Sequence, residues 1–166
     1  MHTRGLIVAA TIFDAVLAGT DVDRLLVQMP AWRDVGVASW AAYSRHADLG
    51  NGLVLYPTVA IAGCVLSVLA AINVARERAV RRSATIPAYL AVVMTVFGLL
   101  LTIKAAPFML SLRRVGDDPM ALQRAFDGFD WWGNIRGVAQ IVAFVANLWS
   151  LVAICDSVAP RENRAA

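Results

Sequence analysis

Apolar residues gather into four long stretches, at about 5–26, 53–75, 86–112 and 132–153, separated by segments rich in charge and in Gly, Pro and Asp. Each stretch reaches or exceeds the roughly 20 residues an α-helix needs to cross a hydrocarbon core about 30 Å thick. Pro87 falls at the start of the third, where its missing N–H does no harm. Trp131 and Trp132 open the fourth, at a depth where amphipathic rings favour the headgroup layer. The first stretch has small residues near Val16, Leu17 and Ala18 that mimic a signal-peptide cleavage site, but Asp14 interrupts the apolar run such a peptide requires. The pattern therefore predicts an all-α fold, a four-helix transmembrane bundle in a single integral membrane domain over 1–166, with no internal repeat.

The connection between the first two spans is about 25 residues long, too long to remain structureless in so compact a chain. Within 30–43, Trp32, Gly36, Trp40 and Tyr43 recur near the helical period while Arg33 and Asp34 point elsewhere. This is the pattern of an amphipathic helix lying flat in the interface. Two roles fit it equally: a lid over the outer mouth of the bundle, or a set of aromatic anchors at the headgroups.

Composition changes the picture only by closing alternatives. With 59% hydrophobic and 16% charged residues the chain is far more apolar than a soluble domain, which excludes a disordered chain, a disulfide scaffold and a soluble α/β enzyme. Cys64 and Cys155 lie inside apolar stretches and form no framework. The net charge of +3 comes from scattered cations, so a membrane surface explains it better than nucleic acid. The tight connection after span two holds Arg76, Arg78, Arg81 and Arg82, and the tails add Arg4, Arg161 and Arg164. The outer loops hold Arg24, Arg33, Arg45, Arg113, Arg114 and Arg124 amid many aspartates. The concentration of cations in one short loop predicts that this loop and both termini are cytoplasmic, in a plasma membrane.

Polar groups inside the spans carry the chemistry, because a charge at mid-bilayer costs about 2.5–3.5 kcal/mol even on insertion scales. On span one Asp14, Asp21 and Gln28 are seven residues apart and share a face. On span four Arg136, Gln140, Asn147 and Ser150 make a second stripe, and Lys104 stands at a similar outer depth on span three. Arg24, Arg45, His46, Asp48 and Asn51 approach the same end from the first outer connection. These groups are expected to converge on one polar cavity open toward the outer face, while Asp14 and Asn147, deeper in, are expected to serve packing. The rows Gly133 to Gly137 and Gly63, Ser67, Ala71 permit close helix approach within the bundle or in a homo-oligomer.

His46 is the one histidine near this cluster, which leaves a metal or haem ligand set short, and no nucleotide-binding glycine loop is present. The expectation is cofactor-free and metal-free chemistry: His46 as general base, Asp48 orienting it, and Arg45, Lys104 and Arg136 stabilising an anion. Asp21, Arg24, Trp32, Trp40, Tyr43, Asn51 and Gln140 would then bind and enclose the substrate. An interfacial histidine that merely hydrogen-bonds to the lid accounts for His46 equally well.

The run PAWRDVGVASWAAYSRHADLGNGLVLYP over 30–57, set between the first two of four spans, resembles small integral membrane proteins of the anthrone oxygenase-like family. That resemblance implies oxidation of a lipophilic aromatic, anthrone- or quinol-like, by dioxygen without metal or flavin. Its partners would be a lipophilic small molecule and the lipid bilayer, and no nucleic acid. Two other classes stay open. One is a proton-coupled small-molecule transporter in which Asp14 is the coupling carboxylate. The other is an accessory subunit of a larger membrane complex.

Overall fold

The computed structural model describes residues 2–77 and 82–158, with nothing described for the side chains of His2, Arg82, Ser157 and Val158. Of the arginines that predict the orientation, Arg78, Arg81, Arg161 and Arg164 lie outside the described residues. Every described element is helical. The first span is α1 (His2–Asp23), which runs through a π-helical segment π1 (Arg24–Gln28) into α2 (Met29–Val35). After Gly36 come α3 (Val37–His46), a second π-helical segment π2 (Ala47–Asn51) and α4 (Gly52–Arg76). The third and fourth spans are α5 (Arg82–Ser111) and α6 (Pro119–Val158). Four of these helical runs are long and apolar enough to cross a membrane, which makes the chain an integral membrane four-helix bundle.

The helices alternate in direction, and each packs against two neighbours: α1 and α5 both lie between α4 and α6. At the end carrying the termini, Ile7, Ala70, Ala71, Val74, Ala84, Ala88 and Ile154 form a core made largely of small residues. Lipid tails offer little hydrophobic drive between helices, so small side chains that let backbones approach supply the packing. Gly63 has this role: a Cβ there would stand 3.0 Å from Asp14 Oδ1 and 3.3 Å from Phe13 Cβ. Together with buried Ser67 and Ala71 it seats α1 on α4, so this row works inside the bundle. Outward-facing positions such as Ile12, Val16, Val93, Val138 and Val145 are exposed and apolar, as a lipid-facing surface requires.

The opposite, distal end departs from the expected single helix over 30–43. That segment is two helices broken at Gly36, whose φ of 84° and ψ of 156° fall where essentially only glycine is at ease. Trp32 and Trp40 turn into a protein core with Met29, Leu49, Met109, Leu112, Leu122, Phe126 and Phe129, and Trp32 stacks on Phe126 at 5.8 Å. The connection thus folds by burying its aromatics against the ends of α5 and α6. Tyr43 alone of the three aromatics is more than half exposed, packed on Trp40 at 5.0 Å. Helix α6 makes this possible by its length: 40 residues span about 60 Å, twice the hydrocarbon thickness.

Between the two cores, a polar link ties three helices. Asn147 on α6 donates from Nδ2 to Asp14 Oδ2 on α1 at 2.7 Å and to Ser67 Oγ on α4 at 2.9 Å. All three side chains are buried, and no cation pairs with Asp14 among the described residues. The expectation that Asp14 and Asn147 serve packing fits this geometry.

Candidate functional site

Where α1, α4, α5 and α6 surround the distal half of the bundle, they enclose a cavity of about 440 Å³. Its walls are apolar, among them Leu17, Ala60, Leu99, Ala106 and Met109, and its polar side is formed by Asp21, Arg24, Asp48, Tyr56, Arg136 and Gln140. The cavity exists because α4 and α5 meet near the termini, through Ala70, Ala71, Val74, Ala84 and Ala88, while their other halves flank the space. Leu53 and Ile61 on α4 and Ile103 and Leu110 on α5 line the cavity and are also exposed at the surface. The cavity therefore opens sideways, through the apolar exterior between α4 and α5. Pro57 and Pro107 lie in these stretches, so the carbonyls of Leu53 and Ile103 lose their usual helical N–H donors beside the opening.

The polar side is a chain of ion pairs. Arg136 Nη2 on α6 donates to Asp21 Oδ1 on α1 at 3.2 Å. Arg24 reaches Asp48 at 3.9 Å and Asp130 at 3.5 Å, and its guanidinium lies over the Phe129 ring at 4.4 Å. Arg136 approaches the same ring at 5.7 Å. Arg24 stands in π1 and Asp48 in π2, so the two π-helical segments face each other across this pair. A π turn inserts an extra residue and redirects the side chains after it, and such turns recur at functional sites. Gly137 lets the stripe assemble, since a Cβ there would press on Asp21 Cβ at 3.2 Å.

Hydrogen bonding in this chain is incomplete. Asp21 Oδ2, Asp48 Oδ2, Asp130 Oδ1, Arg24 Nη2 and Arg136 Nε are buried atoms with no hydrogen-bond partner. Arg24 Nη2 and Asp130 Oδ1 face each other at 3.5 Å, while Asp21 Oδ2, Asp48 Oδ2 and Arg136 Nε are left open; buried charged groups are ordinarily satisfied, so these three mark a place where water or a bound polar group belongs. Asp21 and Asp48 line the cavity with Arg24 and Arg136, two acids against two cations, while Asp130 pairs with Arg24 from outside the lining. Among the described residues no group of three His, Cys, Asp or Glu side chains is placed to hold a metal ion.

The expected site residues divide cleanly. Asp21, Arg24, Asp48, Arg136 and Gln140 come together around the cavity. His46, Lys104 and Asn51 are exposed and do not line it. The reason for His46 is local: it ends α3 just before π2, and π2 turns Asp48 inward while leaving His46 outside. Asp48 pairs with Arg24 rather than with His46. Arg45 holds the turn between α5 and α6, donating from Nε to Leu112 O at 3.1 Å, from Nη1 to Asp117 at 2.9 Å, and from Nη2 to Gly116 O. Trp32 and Trp40 support the distal core, and Tyr43 lies at the surface, so none of the three encloses the cavity. Tyr56 and Phe129 line the cavity without having been expected there. The seven-residue step from Phe129 to Arg136 carries the signal for the ring, because it puts both on one helix face. Tyr56 carries none that separates it from an interfacial anchor.

No family model, curated protein or solved structure matches the chain.

Proposed function

We propose that this protein takes a lipophilic, ring-bearing small molecule from the bilayer into its distal cavity and acts on the polar end of that molecule as a cofactor-independent oxidoreductase. One observation carries the reading: an apolar, laterally open space of about 440 Å³ ends on ionisable side chains with unmet hydrogen bonds. That volume lies in the range of small-molecule sites, and mixed lining of this kind orients a ligand by its few polar groups. In this reading the distal end faces away from the cytoplasm, with both termini inside the plasma membrane's cytoplasmic side.

The substrate class is an anthrone- or quinol-like aromatic. Asp21 and Asp48 take the part of proton acceptor that His46 is too far outside to play, and Arg24 and Arg136 hold the carboxylates in place. For an anthrone, loss of the proton leaves an electron-rich ring system that dioxygen oxidises. One oxygen atom becomes the second carbonyl and the other leaves as water.

The test is equilibrium binding of a hydroxylated three-ring aromatic to the protein in lipid nanodiscs, with dioxygen uptake followed in parallel. Saturable binding that is lost in Ala106→Trp, together with dioxygen uptake lost in Asp48→Asn, is the expected result. No saturable binding overturns the reading, and binding without dioxygen uptake reduces it to a binding or transport protein.

A further inference from the structure

We infer that the ligand is an amphiphile: its ring system sets a polar edge against the seam between α1 and α6, and its opposite edge carries a hydrocarbon chain that leaves the bundle between α4 and α5. The inference deepens the function proposed above and rests on that reading of the cavity.

The four spans form a ring in the order α1, α4, α5, α6, so the seam between α1 and α6 lies across the bundle from the gap between α4 and α5. The two sides of the cavity differ in polarity. Arg136 on α6 bonds to Asp21 on α1 at 3.2 Å, and Gly137 lets the helices meet there, since a Cβ on it would stand 3.2 Å from Asp21 Cβ. Arg24 joins this side from π1. On the other side the lining from α4 and α5 is apolar apart from Tyr56 and Thr102, and the Thr102 hydroxyl donates to Gly98 O at 2.9 Å. Leu53, Ile61, Ile103 and Leu110 line this side and are between 39% and 67% exposed, so the cavity runs outward among them. The distal end is filled instead: Leu49, Met109 and Phe129, which line the cavity, belong to a packed core.

A polar wall facing an apolar mouth fixes the direction of a ligand. Its hydrogen-bonding groups go to the ion pairs, because a buried polar group without a partner is costly, and its other end then meets the mouth. Neighbouring helix axes stand roughly 8–10 Å apart, a distance that a ring system fills, so a substituent on the far edge reaches the acyl chains. A chain attached there passes from one hydrocarbon surrounding to another and meets no penalty on binding. Attached beside the polar groups, the same chain would have to force the seam between α1 and α6 or displace the ion pair that closes it.

The experiment takes a hydroxylated three-ring aromatic as the parent, with two series of its alkyl homologues from methyl to pentadecyl. One series carries the chain on the ring remote from the hydroxyl, the other on the carbon beside it. Equilibrium binding to the full chain in nanodiscs is measured without dioxygen, and affinity is expressed per lipid so that partitioning cancels. In the remote series affinity is expected to stay within about twofold of the parent at every length, and in the adjacent series to fall about tenfold or more by decyl. Leu53→Trp with Ile103→Trp narrows the mouth; it should weaken the long remote homologues about tenfold and leave the parent within about twofold. Remote chains that weaken binding as they lengthen, or two series that behave alike, overturn the inference while leaving the proposed function intact. If the parent itself does not bind, the proposed function falls and the inference with it. The wild-type series decide the matter even where the double variant fails to fold.

Discussion

Asn147 and Asp14 meet at 2.7 Å near the middle of the bundle, and the same amide nitrogen reaches Ser67, so one side chain on α6 holds both α1 and α4. Replacing Asn147 with Leu removes both donors at once and leaves a buried carboxyl group unmet. Unfolding in detergent should show a loss of about 1–3 kcal/mol. Ser67→Ala removes one acceptor and should cost nearer about 0.6 kcal/mol, the usual worth of such a bond between membrane helices.

Two glycines on neighbouring helices should respond in opposite ways to alanine. At Gly63 the new Cβ meets Asp14 and Phe13, so α1 must move and stability should fall by about 1–3 kcal/mol. At Gly19 nothing lies within 4 Å, so the same change should be neutral or stabilise by up to about 1 kcal/mol through helix propensity. Thermal midpoints of the two variants in one detergent check this.

Arg24 is the hub of the ion-pair chain, and its loss should be felt at both partners. Arg24→Met leaves Asp48 and Asp130 facing each other's surroundings without a cation and removes the contact with Phe129. The side chains are 12–15% exposed, so water softens the effect to about 2–3 kcal/mol, below the cost of breaking a fully buried pair. Arg24→Lys should recover part of this, because a lysine keeps the charge but loses the planar fork that serves two carboxylates. Chemical unfolding of the two variants side by side gives the comparison.

Ligand binding should separate the residues that line the cavity from those that merely stand near it in sequence. Ala60→Phe fills the space and should abolish binding of a hydroxylated aromatic without lowering the thermal midpoint. His46→Ala and Lys104→Ala should leave affinity unchanged within about twofold, a difference below about 0.5 kcal/mol. Arg45→Ala should also leave affinity unchanged while raising amide exchange in the turn around Gly116, since it cuts the bonds that hold that turn.

The parts of this fold that were legible in the sequence are those governed by composition over long windows. Four apolar stretches became four helices; α4 begins at Gly52, close to the expected 53, whereas α6 begins at Pro119, well before the expected 132. The seven-residue steps from Asp14 to Asp21 to Gln28, and the spacing of Arg136, Gln140 and Asn147, placed polar groups that the structure does bring inward. What escaped was local chain direction. Nothing in the residues of π1 and π2 announces an added residue per turn, yet those segments decide that Asp48 faces the cavity and His46 does not. Gly36 was read as one point of an aromatic stripe, whereas its backbone conformation splits that stripe into two helices and sends both tryptophans into the core. Lys104 stays outside the cavity for a different reason: a residue's level along a helix does not fix which side of α5 it occupies.

A cavity that opens between α4 and α5 onto the apolar exterior changes what concentration means for a ligand that enters there. Under the proposed function, the ligand is drawn from molecules already dissolved among the acyl chains, so occupancy should follow the number of ligand molecules per lipid. Adding empty vesicles to a fixed amount of ligand should strip the site by dilution in two dimensions, even when the total in the tube is unchanged.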